Sequence, residues 1–174
     1  MSLPYESSLR MSRGVLRALV GINVVYGVAI LGLVTWSLFA KDLVMDALGV
    51  APAADRELML RGMQLVAFFG ILAVPLLHII LKRLLSIIDT VRAGDPFIVD
   101  NARRLRIIAQ TSFGIQLLHL LIGFVISRTK SQVQQLDLDW SFSITPWIAV
   151  LLLFVLAGVF EQGARMRADL EGTV

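Results

Sequence analysis

The chain contains no cysteine, which excludes disulfides, thiolate zinc sites and cysteine nucleophiles and leaves its redox compartment open. It is also short of charge: charged residues make up 17% of the 174 positions, against about 25% in soluble domains, while hydrophobic residues reach 57%. A mean hydropathy of +0.79 means more apolar surface than one small soluble core can absorb. An ordinary cytosolic enzyme and a disordered tail are both excluded. The residues define an architecture before they define any chemistry.

Where the charges are missing is more informative than their number. There is no Asp, Glu, Lys or Arg between Arg17 and Lys41, Arg61 and Lys82, Arg106 and Arg128, or Asp139 and Glu161. Each run has about 20 residues or slightly more, which at about 1.5 Å rise per residue covers a hydrocarbon core of roughly 30 Å. A lone charge at mid-bilayer costs on the order of 2.5–3.5 kcal/mol on insertion scales, so runs of this length are hard to explain as buried soluble helices. The expected fold is an all-α membrane protein: a bundle of four transmembrane helices near 18–40, 62–81, 107–127 and 144–163, in a single integral membrane domain over 1–174. Arg10, Arg13 and Arg17 precede the first run as they would in a signal peptide. That run far exceeds a signal h-region, however, and Leu38-Phe39-Ala40 is not a cleavage site, so it is expected to remain as a signal anchor.

The span interiors lack the parts of a pump or transporter, because no carboxylate or basic group lies within them to carry protons or ions. No two glycines sit four apart, so the glycine-zipper form of dimerisation is absent too. Asn23, Gln64, Gln110 and Gln116 remain as polar links between helices, each contributing roughly 1 kcal/mol. Pro75 is expected to kink the second span and free a carbonyl for an interhelical contact. His78 and His119 are the only histidines; their depths in the membrane differ by roughly 10 Å at helical rise, which disfavours a shared haem. Interhelical hydrogen bonding is expected of them instead, with no cofactor. No Ser/His/Asp set, P-loop, paired carboxylates or zinc motif is present, so an enzyme has no site to stand on.

The net charge is +3 and the pI about 9.8, yet much of this basicity is topological. Arg10, Arg13, Arg17, Lys82, Arg83, Arg92, Arg103, Arg104, Arg106, Arg165 and Arg167 fall on one side of the membrane. Only Lys41, Arg56, Arg61, Arg128 and Lys130 fall on the other. The positive-inside rule then puts both termini and the middle loop in the cytoplasm, and direct nucleic-acid binding is the weaker reading of the charge.

On the expected cytoplasmic side, Leu84, Leu85, Ile88 and Val91 continue an apolar stripe past Lys82 and Arg83. Gly94-Asp95-Pro96 then ends the helix, and Asp100 or Asn101 is expected to cap the next one. The result is a basic helical elbow, which binds either the phosphates of anionic lipids, at about 1 kcal/mol per basic residue, or a cytoplasmic partner. On the other side, Leu136, Leu138, Trp140, Phe142 and Ile144 alternate with polar residues and predict an extended segment, with Trp140 and Trp147 near the headgroups. The stretch from Lys41 to Leu60 predicts one short interfacial helix. After Glu161 the last helix is expected to run on, and the terminal residues Leu170 to Val174 either dock on another protein or fray.

Two stretches, Gly94-Asp95-Pro96-Phe97 with Asn101-Ala102-Arg103-Arg104-Leu105-Arg106, and Val159-Phe160-Glu161-Gln162-Gly163-Ala164-Arg165-Met166-Arg167 with the residues that follow, resemble the YoaS-like bacterial four-helix membrane proteins, domain-of-unknown-function family 2975. The resemblance implies a bacterial inner-membrane protein that works beside a small cytoplasmic helix-turn-helix transcription regulator of the Cro/repressor type, holding, inhibiting or signalling to it. Both stretches lie on the side expected to be cytoplasmic. The partner-binding surface is therefore expected at Arg103, Arg104, Arg106, Arg165, Arg167, Asp169, Leu170, Glu171, Gly172, Thr173 and Val174. The alternative is an accessory or structural subunit of a larger membrane complex, and a homo-oligomer is compatible with either.

Overall fold

A computed structural model describes residues 4–40, 43, 56–129 and 142–171. Within them the chain forms four helices, α1 (Pro4–Phe39), α2 (Arg56–Arg92), α3 (Val99–Thr129) and α4 (Thr145–Glu171), and no strand. All four are long and apolar enough to cross a membrane, so the protein is a multi-pass, all-α four-helix bundle. The expected interfacial helix after Lys41 and the extended segment around Trp140 lie largely outside the described residues. Only Phe142 to Ile144 are described from the latter, as irregular exposed chain leading into α4.

The helices are longer than their uncharged runs. At about 1.5 Å per residue the 37 residues of α2 extend about 55 Å, nearly twice the hydrocarbon thickness. The stripe beyond Lys82 is helical to Arg92, α1 begins at Pro4 rather than near residue 18, and α4 continues ten residues past Glu161 to Glu171. With α3 starting at Val99, ahead of its own uncharged run, all four helices project together from one end of the bundle. That end carries Arg13, Arg92, Arg103, Arg104, Arg106, Arg165 and Arg167, and is called the basic end below.

Packing is serial: α1 lies on α2, α2 on α3 and α3 on α4, and no other pair shares a comparable interface. The core sits toward the basic end, where Leu105, Ile108 and Ala157 are buried and Ile80, Leu84, Ile87, Leu153 and Phe160 close around them. Ala102, Ala109 and Ala164 are buried alongside; small side chains at these positions let the helix backbones approach, which is how membrane helices gain dispersion contacts that lipid cannot match. The flank of α1 is the opposite case. Ile22, Val25, Val28, Leu31 and Leu33 are all exposed, an arrangement that costs nothing against lipid tails.

Four links fasten α1 to α2. Arg13 Nε lies 3.0 Å from Asp89 Oδ1, an ion pair without the angle of a hydrogen bond. Asn23 Nδ2 donates to the Val74 carbonyl at 3.1 Å. Gly27 lets the backbones close, since a Cβ there would stand 2.8 Å from Val74 Cγ1. Gln64 Nε2 donates to Ser37 Oγ at 3.3 Å. Of the four polar links expected from the sequence, Asn23 and Gln64 are therefore present, whereas Gln110 and Gln116 make no interhelical hydrogen bond among the described residues. The expectation for Pro75 is corrected in detail: the missing proline amide orphans the Ile71 carbonyl, but Asn23 takes the carbonyl of Val74, the residue before the proline. The Trp147 ring packs edge-on to Phe113 at 5.9 Å between centroids.

Candidate functional site

The elbow between α2 and α3 is built by backbone hydrogen bonds first. Asp95 N–H bonds to the Thr90 carbonyl and Gly94 N–H to the Val91 carbonyl, both at 3.1 Å, which is the pair that defines a Schellman termination. It requires a left-handed residue at its centre, and Gly94 has φ +88°, a conformation that a Cβ would strain. Pro96 follows and prevents the helix from resuming. The chain re-enters helix when the Ile98 carbonyl accepts from the amides of Asn101 and Ala102.

Asn101 is not the cap that the sequence predicts. It occupies the third position of α3, with its side chain fully buried. Nδ2 donates to Thr90 Oγ1 at 2.7 Å and to the Pro96 carbonyl at 2.8 Å, and the Thr90 hydroxyl donates on to the Ile87 carbonyl at 2.8 Å. Oδ1 accepts from Arg104 Nη1 at 2.8 Å, and the same guanidinium reaches the Ser86 carbonyl at 3.4 Å. One amide thus ties the end of α2, the turn and the start of α3 together. A capping role would have required the side chain to face the free amides one turn later; burial against α2 outcompetes it. Asp100 stands in the first turn, where its charge suits the helix dipole.

The elbow then docks on α4. Phe97 stacks on Phe160 with ring centroids 5.1 Å apart and lies against Gly163, where a Cβ would meet Phe97 Cδ1 at 3.0 Å. Asp95 Oδ1 pairs with Arg167 Nη1 at 2.5 Å. Glu161 is clamped by two guanidinium groups, Arg106 at 2.6 Å to Oε2 and Arg165 at 2.6 Å to Oε1. The two stretches that carry the family resemblance therefore meet on one surface.

The eleven positions expected to bind a partner divide into three kinds. Arg106, Arg165 and Arg167 are there but already hold carboxylates of the same chain, and Arg104 is turned inward onto Asn101. Arg103 is exposed and pairs with no acidic group among the described residues. Asp169 and Leu170 are exposed on the last turn of α4; Glu171 ends the helix, and Gly172, Thr173 and Val174 lie outside the described residues. Phe97, Val99 and Met166 add exposed apolar area beside Arg103 and the α4 tail. The sequence reading did not assign site roles to Asp95, Phe97, Glu161 and Gly163. Only the Glu161–Arg165 pair had a legible signal, the i, i+4 spacing.

Among the described residues no three His, Asp or Glu side chains gather where they could hold a metal. His78 is half-buried on α2, while His119 is exposed on α3.

Searches of curated proteins and of solved structures return no match. The family model for a protein of unknown function, DUF2975, matches residues 62–174. That segment begins in α2 and includes the elbow, its docking surface and all of α4, while α1 lies before it. With well over half of its length matched, the chain belongs to the DUF2975 family.

Proposed function

We propose that the protein is a membrane-anchored regulatory protein of the bacterial inner membrane, whose basic end lies in the cytoplasm and binds a helix-turn-helix transcription regulator of the Cro/repressor type. The observation that carries this reading is the closure of elbow on tail. Asp95 to Arg167, Arg106 and Arg165 to Glu161, and Phe97 to Gly163 make one rigid face out of two segments far apart in sequence. Ion pairs within that face absorb three arginines as struts. Arg103, Phe97, Val99, Met166 and Leu170 are left outward, a mixed apolar and basic patch of the kind that a protein partner buries.

The test is deletion of Asp169–Val174, which removes no basic residue and two acidic ones, Asp169 and Glu171, and so does not weaken attraction to anionic lipids. The truncated protein should reach the membrane at normal level, lose co-purification of the regulator encoded beside it and alter the output of that regulator's target genes. If both readouts match wild type, the docking reading fails. Orientation is checked in the cysteine-free background: on intact cells an impermeant thiol reagent should label Ser131→Cys and spare Arg83→Cys, and the reverse pattern overturns it. A second reading, an accessory subunit of a larger membrane complex, draws support from the open apolar flank of α1. It gains if the truncation is silent and the protein co-purifies with membrane subunits.

A further inference from the structure

At the junction of α1, α2 and α3 lies a partly enclosed groove of about 290 Å³, with Asn23, Tyr26, Val74, Leu77, Leu118 and His119 among its walls. The lining is almost wholly apolar, and it carries one unmet polar demand. Asn23 is only 4% exposed. Its Nδ2 donates to the Val74 carbonyl, which fixes the orientation of the amide, because a carbonyl cannot bond to the other end. Oδ1 is consequently an acceptor, and it is buried with no donor among the described residues. The surrounding helical amides are spent on their own i−4 carbonyls. A buried acceptor without a donor is a cost that a suitable partner relieves.

Three candidate partners fail on chemistry. An acyl chain fills the groove but carries no donor. A charged headgroup would be drawn into a site whose walls hold no charged residue, at a depth where charge is expensive. A carboxylate would bring acceptor against acceptor. What remains is an apolar molecule ending in a neutral donor.

We propose that this groove binds a membrane-soluble hydroxyl lipid, a neutral molecule with an apolar body whose terminal O–H donates to Asn23 Oδ1. The oxygen of that hydroxyl can in turn accept from an imidazole N–H of His119, on the α3 wall of the groove. Asn23 lies six residues beyond Arg17, about 9 Å along the helix axis, so the ligand enters sideways from the bilayer. The volume is at the lower limit of small-molecule pockets, about 300–1,000 Å³, and therefore takes the head and the first part of a chain while the rest lies among the lipids. Oδ1 sits beneath the groove surface. Tyr26 and Leu77, exposed residues of the groove wall, can change rotamer to admit the donor. Asn23 and Tyr26 belong to α1, outside the segment that the family model matches.

The experiment uses the full-length protein in phosphatidylcholine nanodiscs, irradiated with hexadecan-1-ol carrying a diazirine near its oxygen. A parallel sample receives the methyl ether of the same probe, which keeps the oxygen and loses the donor. Labelled positions are read by peptide mass spectrometry. The alcohol should label the groove walls roughly 5-fold to 10-fold more than the ether, the discrimination expected of one hydrogen bond. Asn23→Leu should bring that ratio to about one. Because Asn23→Leu also removes the bond to Val74, Ala73→Phe serves as the second variant: it fills the groove from α2, leaves Asn23 in place and should reduce labelling by both probes. Equal labelling by alcohol and ether in the unmodified protein would mean a groove for acyl chains alone and overturns the proposal. So does a preference that survives Asn23→Leu, or an absence of label at the groove walls.

Discussion

At the basic end, a single buried amide, Asn101, holds α2, the turn and α3 with every polar atom in use. Along α1, a second buried amide, Asn23, uses one atom and leaves the other without a partner among the described residues. Around the first, small alanines and a Schellman turn bring three helices into close contact; around the second, a groove stays open. The difference teaches where this molecule has invested specificity. The closed region falls within the segment matched to the family, and the open one adds a helix from outside it. A membrane helix needs no water-driven collapse, so α1, packed on α2 alone, can leave its other faces to lipid at little cost.

The sharpest way to break this comparison is Asn101→Leu. The leucine is near in size but removes the donor to the Pro96 carbonyl and to Thr90 Oγ1, and leaves the Arg104 guanidinium with only the Ser86 carbonyl. Stranded buried partners cost about 1–3 kcal/mol each when neutral, with relaxation limiting the sum, so a loss of about 3 kcal/mol is expected. Denaturation in mixed micelles, followed by circular dichroism, measures it. A loss below about 1 kcal/mol would show that the elbow is held by its apolar contacts, and that the contrast between the two amides is only geometric.

Much of this architecture was legible in the sequence because bilayer thickness is a long, cumulative signal. The four uncharged runs, the overrun of α2 past Lys82 and the stop at Gly94-Asp95-Pro96 were each readable, and the helices observed agree with them. What escaped was two-body detail. Asn101 sits where a capping residue is expected, and nothing local tells that Thr90 stands opposite to take its amide. The arginines Arg106, Arg165 and Arg167 looked free because their carboxylates, Glu161 and Asp95, are brought to them by docking rather than by neighbouring position, Arg165 excepted. Gln110 and Gln116 looked like Asn23 and Gln64; which polar residue bonds depends on the helix face turned to a neighbour, and an all-apolar span carries little amphipathic pattern to reveal it.

A paired glycine experiment separates the two regions mechanically. At Gly163 a Cβ meets the Phe97 ring at 3.0 Å, and at Gly27 a Cβ meets Val74 at 2.8 Å. Leucine at either should force the contact apart, at about 1–3 kcal/mol for overpacking. The consequences should differ. Gly163→Leu lifts the elbow from α4 and should lower the unfolding midpoint of the whole protein. Gly27→Leu should instead detach α1 alone, with the midpoint of the α2, α3 and α4 core nearly unchanged. Detachment is read with Ser37→Cys and Gln64→Cys joined by a short bismaleimide, a pair whose native side chains touch; cross-linking should occur in the parent and be lost with Gly27→Leu. Gly158→Leu, where no atom lies within 4 Å of the added Cβ, is the control. If Gly27→Leu lowers the core midpoint as much as Gly163→Leu does, α1 is an integral part of the bundle and the contrast drawn above is false.

The smallest effect is expected at Asp95, and it bears on whether ion pairs or apolar contact holds the elbow to α4. Asp95 and Arg167 approach to 2.5 Å, but both side chains are about half exposed, at 51% and 44%. Exposed pairs contribute about 0.2–1 kcal/mol because water and salt screen them and two side chains must be immobilised. Asparagine at position 95 keeps the amide that bonds to the Thr90 carbonyl and keeps the size of the side chain, so the substitution isolates the charge. Asp95→Asn should therefore lower stability by no more than about 1 kcal/mol at low ionic strength. In roughly 0.5 M salt, where the screening length falls to several ångströms, the remaining difference should shrink further. A loss of about 2 kcal/mol or more that persists in salt would mean that the pair is sheltered from solvent in the membrane-bound protein. The elbow would then owe its position to Arg167, rather than to Phe97 seated against Gly163.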